Sequence, residues 1–396
     1  MKTLLSKIYH KLTLQGIKNY NEVPDIDEWE KFLRNLPTAS NPEQRSLNKY
    51  YCRMYYFGLL YKVIVNIVSS ILLLIYVIPQ IFRNGSIKRL NSTDAVLVED
   101  NSVGFHDIIP DKLIERYSQI TIVSNVRKGY RISKEGKKLF LSIWKNNIFR
   151  PHYSYWIFRE LVFHSCLVER YSPKAIIVYV NERNIASPII KEYLESKNIK
   201  FITFMHGDYI LQLIQGFMDF SEFYVWDTHY IKMFVDDLYC PEKQFIVYTP
   251  KKLKKKYDLS EETIDLTYYL GSESDATIKK IGSAFKELKA KGKKCQVRLH
   301  PRRDHLEKVI KFVDHDQIQY PKDTPIDLSI SQSLYIVSIN STVMLESSFG
   351  GKRVMLDDWS DPEAFQSLVD RKGIILDKPH YLLTQYLKKE IDDTFV

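Results

Sequence analysis

Four short stretches carry the residue types needed to move a group away from an anionic leaving group. "RLHPRR" at 298–303 ends an apolar run in a His-Pro pair set among arginines. Pro301 restricts His300 to extended backbone, so a strand would end on the imidazole. Arg298, Arg302 and Arg303 surround it with permanent positive charge. That environment suits a phosphate, which His300 could protonate or hydrogen-bond. A surface pair of Arg303 with Asp304 is the plainer reading of the last arginine. "SINSTVMLESSFGG" at 338–351 reads as strand, cap and helix. Asn340, Ser341 and Thr342 would cap that helix, and cap hydroxyls with helix-start N–H groups make an anion site. Glu346 lies in the first helical turns and could reach a ribose hydroxyl. "GSESD" at 271–275 also opens a helix. Gly271 and Ser272 could present the helix start to a phosphate, and Glu273 or Asp275 could equally be a cap. "HGDY" at 206–209 follows an apolar run. His206 or Asp208 could act as general base there, and Gly207 allows close backbone approach.

The elements around these stretches alternate. Strands are expected at 94–100, 119–125, 175–180, 200–207, 222–226 and 244–250, then at 264–271, 295–301, 333–340, 353–358 and 373–377. Helical spacing appears at 153–171, 187–198, 275–292, 304–313, 341–351 and 379–391. Strands and helices alternating at these lengths mean parallel βαβ units. The fold class is therefore α/β, with two Rossmann-like domains at 93–250 and 264–396. The charged stretch "KKLKKKYDLSEET" at 251–263 reads as their linker. Doubly wound halves bind ligands at the carboxyl ends of their strands, where all four stretches fall.

Charge sets the first 92 residues apart. The 396-residue chain carries +9, and residues 1–92 hold thirteen Lys/Arg against six Asp/Glu. That excess flanks "VIVNIVSSILLLIYVIPQIF" at 63–82, twenty residues without a formal charge. Twenty apolar residues are about what a bilayer core requires, and basic flanks suit anionic headgroups. A buried core helix is the alternative reading. Residues 1–92 are expected to form a helical, basic, membrane-associated region, with a helix starting at "VPDIDEWEKFL". The four cysteines form no CxxC pair, which argues against a zinc site or disulfide scaffold and fits a reducing cytoplasm. The lysine clusters at 251–256 and 291–294 lack interleaved aromatics, so they read as solvated faces and not as a nucleic-acid surface. "VDD" at 235–237 sits in a helical run and is not read as an Asp-x-Asp metal signature. No metal and no cofactor are expected.

"LHP" and "INSTVMLE", about forty residues apart, together resemble bacterial glycosyltransferases of the GT-B fold. The likeness is to the sialyltransferases and capsule polysialyltransferases, which carry a His-Pro motif and then a Ser-Ser or Ser-Thr motif. In that group the histidine and the hydroxyl pair contact the CMP phosphate, and an acid is the base. The resemblance assigns these roles to His300, Ser341 and Thr342. The acidic pair followed by glycine that supplies the base has no clean copy. Glu99-Asp100 lacks the glycine, and "HGD" has one acid. The chain also resembles polyol-phosphate polymerases of the teichoic-acid type, which show a His-Gly turn, a His-Pro histidine and a Ser-Ser or Ser-Thr anion site. Those enzymes place an acid and a tyrosine where this chain has Ile339 and Asn340.

The expectation is an inverting, metal-independent glycosyltransferase at the cytoplasmic face of the membrane, peripheral or single-pass. It would move a sugar from a CMP- or CDP-linked donor, such as sialic acid from CMP-sialic acid. The acceptor would be a bacterial surface glycan such as capsule or lipopolysaccharide. The alternatives are a CDP-polyol phosphotransferase and a non-catalytic, membrane-bound nucleotide-binding protein.

Overall fold

The computed structural model describes residues 25–83, 86–99, 109–124, 129–179, 181–301 and 306–388. The chain forms two compact units. One is Met1–His206 with Gln212–Tyr248; the other is Gly207–Leu211 with Thr249–Val396.

The first unit is built on six parallel strands: β1 (Ala95–Glu99), β2 (Ile120–Ser124), β3 (Ala175–Tyr179), β4 (Lys200–Phe204), β5 (Glu222–Val225) and β6 (Phe245–Val247). Their order is β2-β1-β3-β4-β5-β6. They fall within the six stretches expected to be strands. β3 is buried along its whole length, and a strand covered on both faces reads as an unbroken apolar run.

Among the described residues, three helices precede this sheet: α1 (Ile26–Arg34), α2 (Pro42–Tyr55) and the long apolar α3 (Leu59–Phe82). Asp25 caps α1, accepting from the Glu28 amide at 2.9 Å, which matches the expected helix start. Asn41 caps α2, accepting from the Gln44 amide at 2.8 Å. These helices were expected to stand apart as a region of their own. They belong instead to the first unit. The Ser46 hydroxyl donates to Ile185 O at 2.7 Å. The Lys49 ammonium donates to Glu182 O, Ile214 O and Gly216 O at 2.6, 3.0 and 3.1 Å.

α3 has two faces. Val65, Val68, Leu72, Leu73 and Val77 are buried, and Val68 and Leu72 pack against Tyr155 and Trp156 of α4 (Pro151–Tyr171). Leu59, Leu60, Ile67, Leu74 and Phe82 are exposed. A wide π turn at Leu73–Val77 precedes Pro79. Proline has no N–H to give and its ring crowds the carbonyl one turn back, so the helix loosens just before it. Among the described residues, α3 is the one helix long and apolar enough to cross a membrane.

The second unit repeats the plan with β7 (Ile264–Tyr269), β8 (Cys295–Arg298), β9 (Ile318–Gln319), β10 (Ser333–Ser338), β11 (Arg353–Leu356) and β12 (Tyr381–Leu382), again all parallel. The order is β12-β11-β10-β7-β8-β9. Alternation along the strands produces two cores. Leu266, Tyr268, Tyr335, Val337 and Met355 pack with Ile278, Ile281 and Phe285 of α5 (Asp275–Ala290). Tyr269, Ile336, Val354 and Leu356 face the other way, against Met344 of α6 (Thr342–Phe349) and Leu368. Successive side chains point to opposite faces of a strand, so helices cover both.

Several expectations for this half need correction. "GIILD" at 373–377 is not a strand: Ile374–Asp377 form a 3-10 turn whose two isoleucines are buried by packing alone. The sixth strand is β12, inside the stretch expected to be the last helix, which spans only Leu383–Leu387. Of the helix expected at 304–313, Leu306–Val309 is helical and 310–313 turn away, while 304 and 305 lie outside the described residues. The stretch 251–263 is not a free linker. Leu253 is buried, and Tyr257 joins the core beneath α6. A Cβ on Gly350 would stand 2.4 Å from the Tyr257 ring, so the close fit needs glycine there.

Candidate functional site

Strand numbering reverses between β7 and β10. From β7 the sheet grows to β8 and β9 on one side; from β10 it grows to β11 and β12 on the other. Connections leave that point in opposite directions and open a crevice at the carboxyl ends of the two strands, the usual ligand position in such sheets. The Ser338 hydroxyl donates to Tyr269 O at 2.9 Å and ties the two strands together there.

The loops that leave this point hold most of the expected donor residues. Ser341 is the N-cap of α6: its hydroxyl accepts from the Val343 amide at 3.3 Å. Thr342 begins the helix, Asn340 before it is exposed, and Glu346 sits partly buried in the second turn. After β7, Gly271 lies against this loop; a Cβ on it would be 3.6 Å from Asn340 O. The structure therefore brings Gly271 and Asn340 together, next to the Ser341 cap. Glu273 is neither cap nor bystander. Its carboxylate accepts from the Gly271 amide at 2.6 Å and holds the loop closed on itself. The cap of α5 is Ser274, which accepts from the Thr277 amide at 3.2 Å, while Ser272 is exposed.

His300 is partly buried at the carboxyl end of β8, directly beside β7. Strands lie ~4.8 Å apart, so the ends of β8 and β10 are separated by roughly 10 Å. Arg298, expected beside the phosphate, is drawn elsewhere. It is 5% exposed, and its guanidinium donates to Gln319 Oε1 at 2.7 Å. The Ser329 hydroxyl donates to the same oxygen at 2.5 Å. Burial pulls the Arg298 guanidinium below its usual range. Its place is a buried polar network that pins β8 to β9. Arg302 lies outside the described residues, as do Arg303 and Asp100.

The "HGDY" stretch divides between the units. His206 ends the first, its ring 5.4 Å from that of Tyr179. Gly207–Leu211 belongs to the second. The Leu211 amide donates to Arg371 O at 2.8 Å, and Ile210 packs with the Tyr257 and Tyr269 core. A Cβ on Gly207 would be 3.6 Å from Thr342 Oγ1. Asp208 was expected with the acceptor domain. It instead follows a glycine that touches the α6 helix start, inside the unit that carries Ser341 and Thr342.

Sequence reasoning missed the loop after β11. Asp357 is fully buried and accepts from the amides of Trp359 and Ser360 at 3.1 and 2.8 Å and from the Tyr268 hydroxyl at 2.9 Å. The Ser360 hydroxyl also donates to it. Burial first, and the Asp357 charge second, raise the Tyr268 phenol well above its usual range. From this loop Asp361 accepts from the Thr277 hydroxyl at 3.2 Å, and Ser360 O accepts from Lys280 at 3.0 Å. Both donors lie in the first two turns of α5, so the loop braces the helix that the GSES turn opens. The signal was the acidic pair ending "RVMLDD". Among the described residues, no three His, Cys, Asp or Glu side chains converge as a metal site.

No family model and no curated protein matches the chain. Among solved structures it is similar to the UDP-GlcNAc 2-epimerase from Neisseria meningitidis bound to UDP-GlcNAc, at 15% identity over 70% of this chain and 85% of that one, with a TM-score of 0.41. The wall teichoic acid polymerase TagF is similar at 8% identity over 76% and 79% of the two chains, TM-score 0.41. The calicheamicin glycosyltransferase CalG4 is similar at 10% identity over 74% and 86%, TM-score 0.41. Likeness of this degree assigns neither family nor reaction.

Proposed function

We propose that the chain is an inverting glycosyltransferase of GT-B type that uses a CMP- or CDP-linked donor to build a bacterial surface glycan. The observation that carries the reading is the β7/β10 switch point. There the Gly271 turn lies against Asn340, the residue before the Ser341 cap of α6, with His300 one strand away. In this reading Ser341, Thr342 and the start of α6 hold the donor phosphate, and Glu346 the ribose. His300 neutralises the departing phosphate by hydrogen bond or proton transfer. Asp208 or His206 takes the acceptor proton as the hydroxyl oxygen attacks the anomeric carbon and the bond to phosphate breaks.

Separate Asp208→Ala and His206→Ala variants test this. One of them should lower kcat by about 10²–10⁴ while nucleotide Kd stays near wild type. Both variants turning over normally would remove the assigned base, and nucleotide binding without any transfer would favour a non-catalytic binding protein. The transfer should survive EDTA; loss with EDTA and recovery with a divalent ion would contradict the metal-independent mechanism.

One observation favours a second reading, a CDP-polyol phosphotransferase. Gly207 of the His-Gly turn lies against Thr342, which unites two features resembling the teichoic-acid polymerases. Turnover of CDP-glycerol but not of CMP-sialic acid would select it.

Membrane association is part of the same proposal, in peripheral form. α3 packs along α4, which carries Arg159, Glu160, Glu169 and Arg170. A partner helix so charged is unsuited to a bilayer core. The exposed apolar face of α3 fits the membrane interface, with its basic flanks toward anionic headgroups. That seat favours the cytoplasmic face.

A further inference from the structure

A cavity of about 720 Å³ opens in the first unit, where α1, α2 and the first turns of α3 meet the loop before α4. That volume falls in the ~300–1,000 Å³ range of small-molecule sites. Phe32, Tyr50, Met54 and Phe149 form an apolar wall; Lys62 and Arg150 supply positive charge, and no lining residue is acidic. Arg150 is held in place: its Nε donates to the Tyr51 hydroxyl at 3.1 Å and its Nη1 to Asn147 Oδ1 at 3.4 Å. Residues 44–93 contain seven Lys/Arg and no Asp or Glu; of the carboxylates on α1 and α2, Glu28 hydrogen-bonds Tyr55 and Glu43 accepts from Asn147 at 2.8 Å, and neither lines the cavity.

The rim is apolar and open to solvent. Phe149 is 95% exposed. On the turns of α3 that bring Lys62 to the cavity, Leu59 and Leu60 are 79% and 74% exposed. Exposed apolar surface beside cations is the signature of a lipid site. A free anion would leave the aromatic wall unused, and a neutral hydrocarbon would leave two cations unmatched.

We propose that this cavity binds one membrane lipid, its hydrocarbon tail against Phe32, Tyr50 and Met54 and its phosphate on Lys62 and Arg150. The site differs from the general membrane seat on α3 because it is saturable and takes one molecule. It does not depend on the transferase reading, and its test uses no nucleotide.

The test is native mass spectrometry and calorimetry on the full chain with geranylgeranyl phosphate, geranylgeraniol and inorganic phosphate. Geranylgeranyl phosphate should bind one-to-one and more tightly than either control. Lys62→Gln, at a partly exposed position, should weaken it about fivefold, as should Arg150→Gln. Met54→Trp, which fills the cavity, should abolish it. Absence of saturable binding would overturn the proposal. So would equal affinity for the alcohol or for phosphate alone, or wild-type affinity in both charge variants. A dimer that Phe149→Asp dissociates, with no lipid bound, would give this face to a second copy instead.

Discussion

The Lys49 ammonium is wholly buried, and three backbone carbonyls hold it where α2 meets the loops of the first unit. Burial pushes its pKa down from 10.5 to about 8. The unfolded chain therefore keeps the proton to higher pH than the folded chain does. Between about pH 8 and 10.5 unfolding takes up a proton, and stability from this group rises with pH across that window. Wild type should gain roughly 2 kcal/mol over Lys49→Met between about pH 7.5 and 9.5. Denaturant unfolding at each pH measures this, and parallel profiles would contradict it. The candidate site shows how unevenly single residues can be read. Ser341 was legible because a strand, a short polar triplet and a helix leave a cap one place to be. Arg298 was not: its pairing with Gln319 crosses strands, and sequence spacing carries no trace of it. Glu273 closing on the Gly271 amide is likewise a matter of rotamer and turn.

The α6 helix ties these residues to the rest of its unit. Its start carries Ser341 and Thr342, and its end is pinned where Gly350 meets Tyr257. Gly350→Ala would place a methyl group about 2.4 Å from the ring, and relieving that overlap should cost about 1–3 kcal/mol. Thermal or urea unfolding would register the loss; a neutral substitution would mean that the stretch 251–263 is held less firmly than the packing indicates. Elements were legible where burial on both faces leaves an unbroken apolar run, as in β3 and β10. They were illegible where an element is too short to show a period. β9 and β12 have two residues each. Ile374 and Ile375 imitate a strand because a buried turn needs the same apolar side chains. The unit boundary beside Gly207 was hidden for a related reason, since adjacency in sequence says nothing of which core Ile210 enters.

For the whole molecule, the proposal rests on two surfaces, the exposed apolar face of α3 and the crevice at the β7/β10 switch point. Leu60→Glu with Val63→Glu alters exposed positions of α3 and should leave the core intact. Sedimentation with phosphatidylglycerol vesicles should then lose most of the bound fraction, and high salt should weaken wild-type binding as screening grows. Undiminished binding would move the membrane seat elsewhere. The central claim is that a nucleotide occupies the β7/β10 switch point. Hydrogen exchange with CMP, CDP, UDP and GDP in turn tests it most directly. The account predicts that CMP or CDP slows exchange of the backbone amides at 271–274, 299–300 and 341–344. A nucleotide that binds while leaving those three segments unprotected would contradict it.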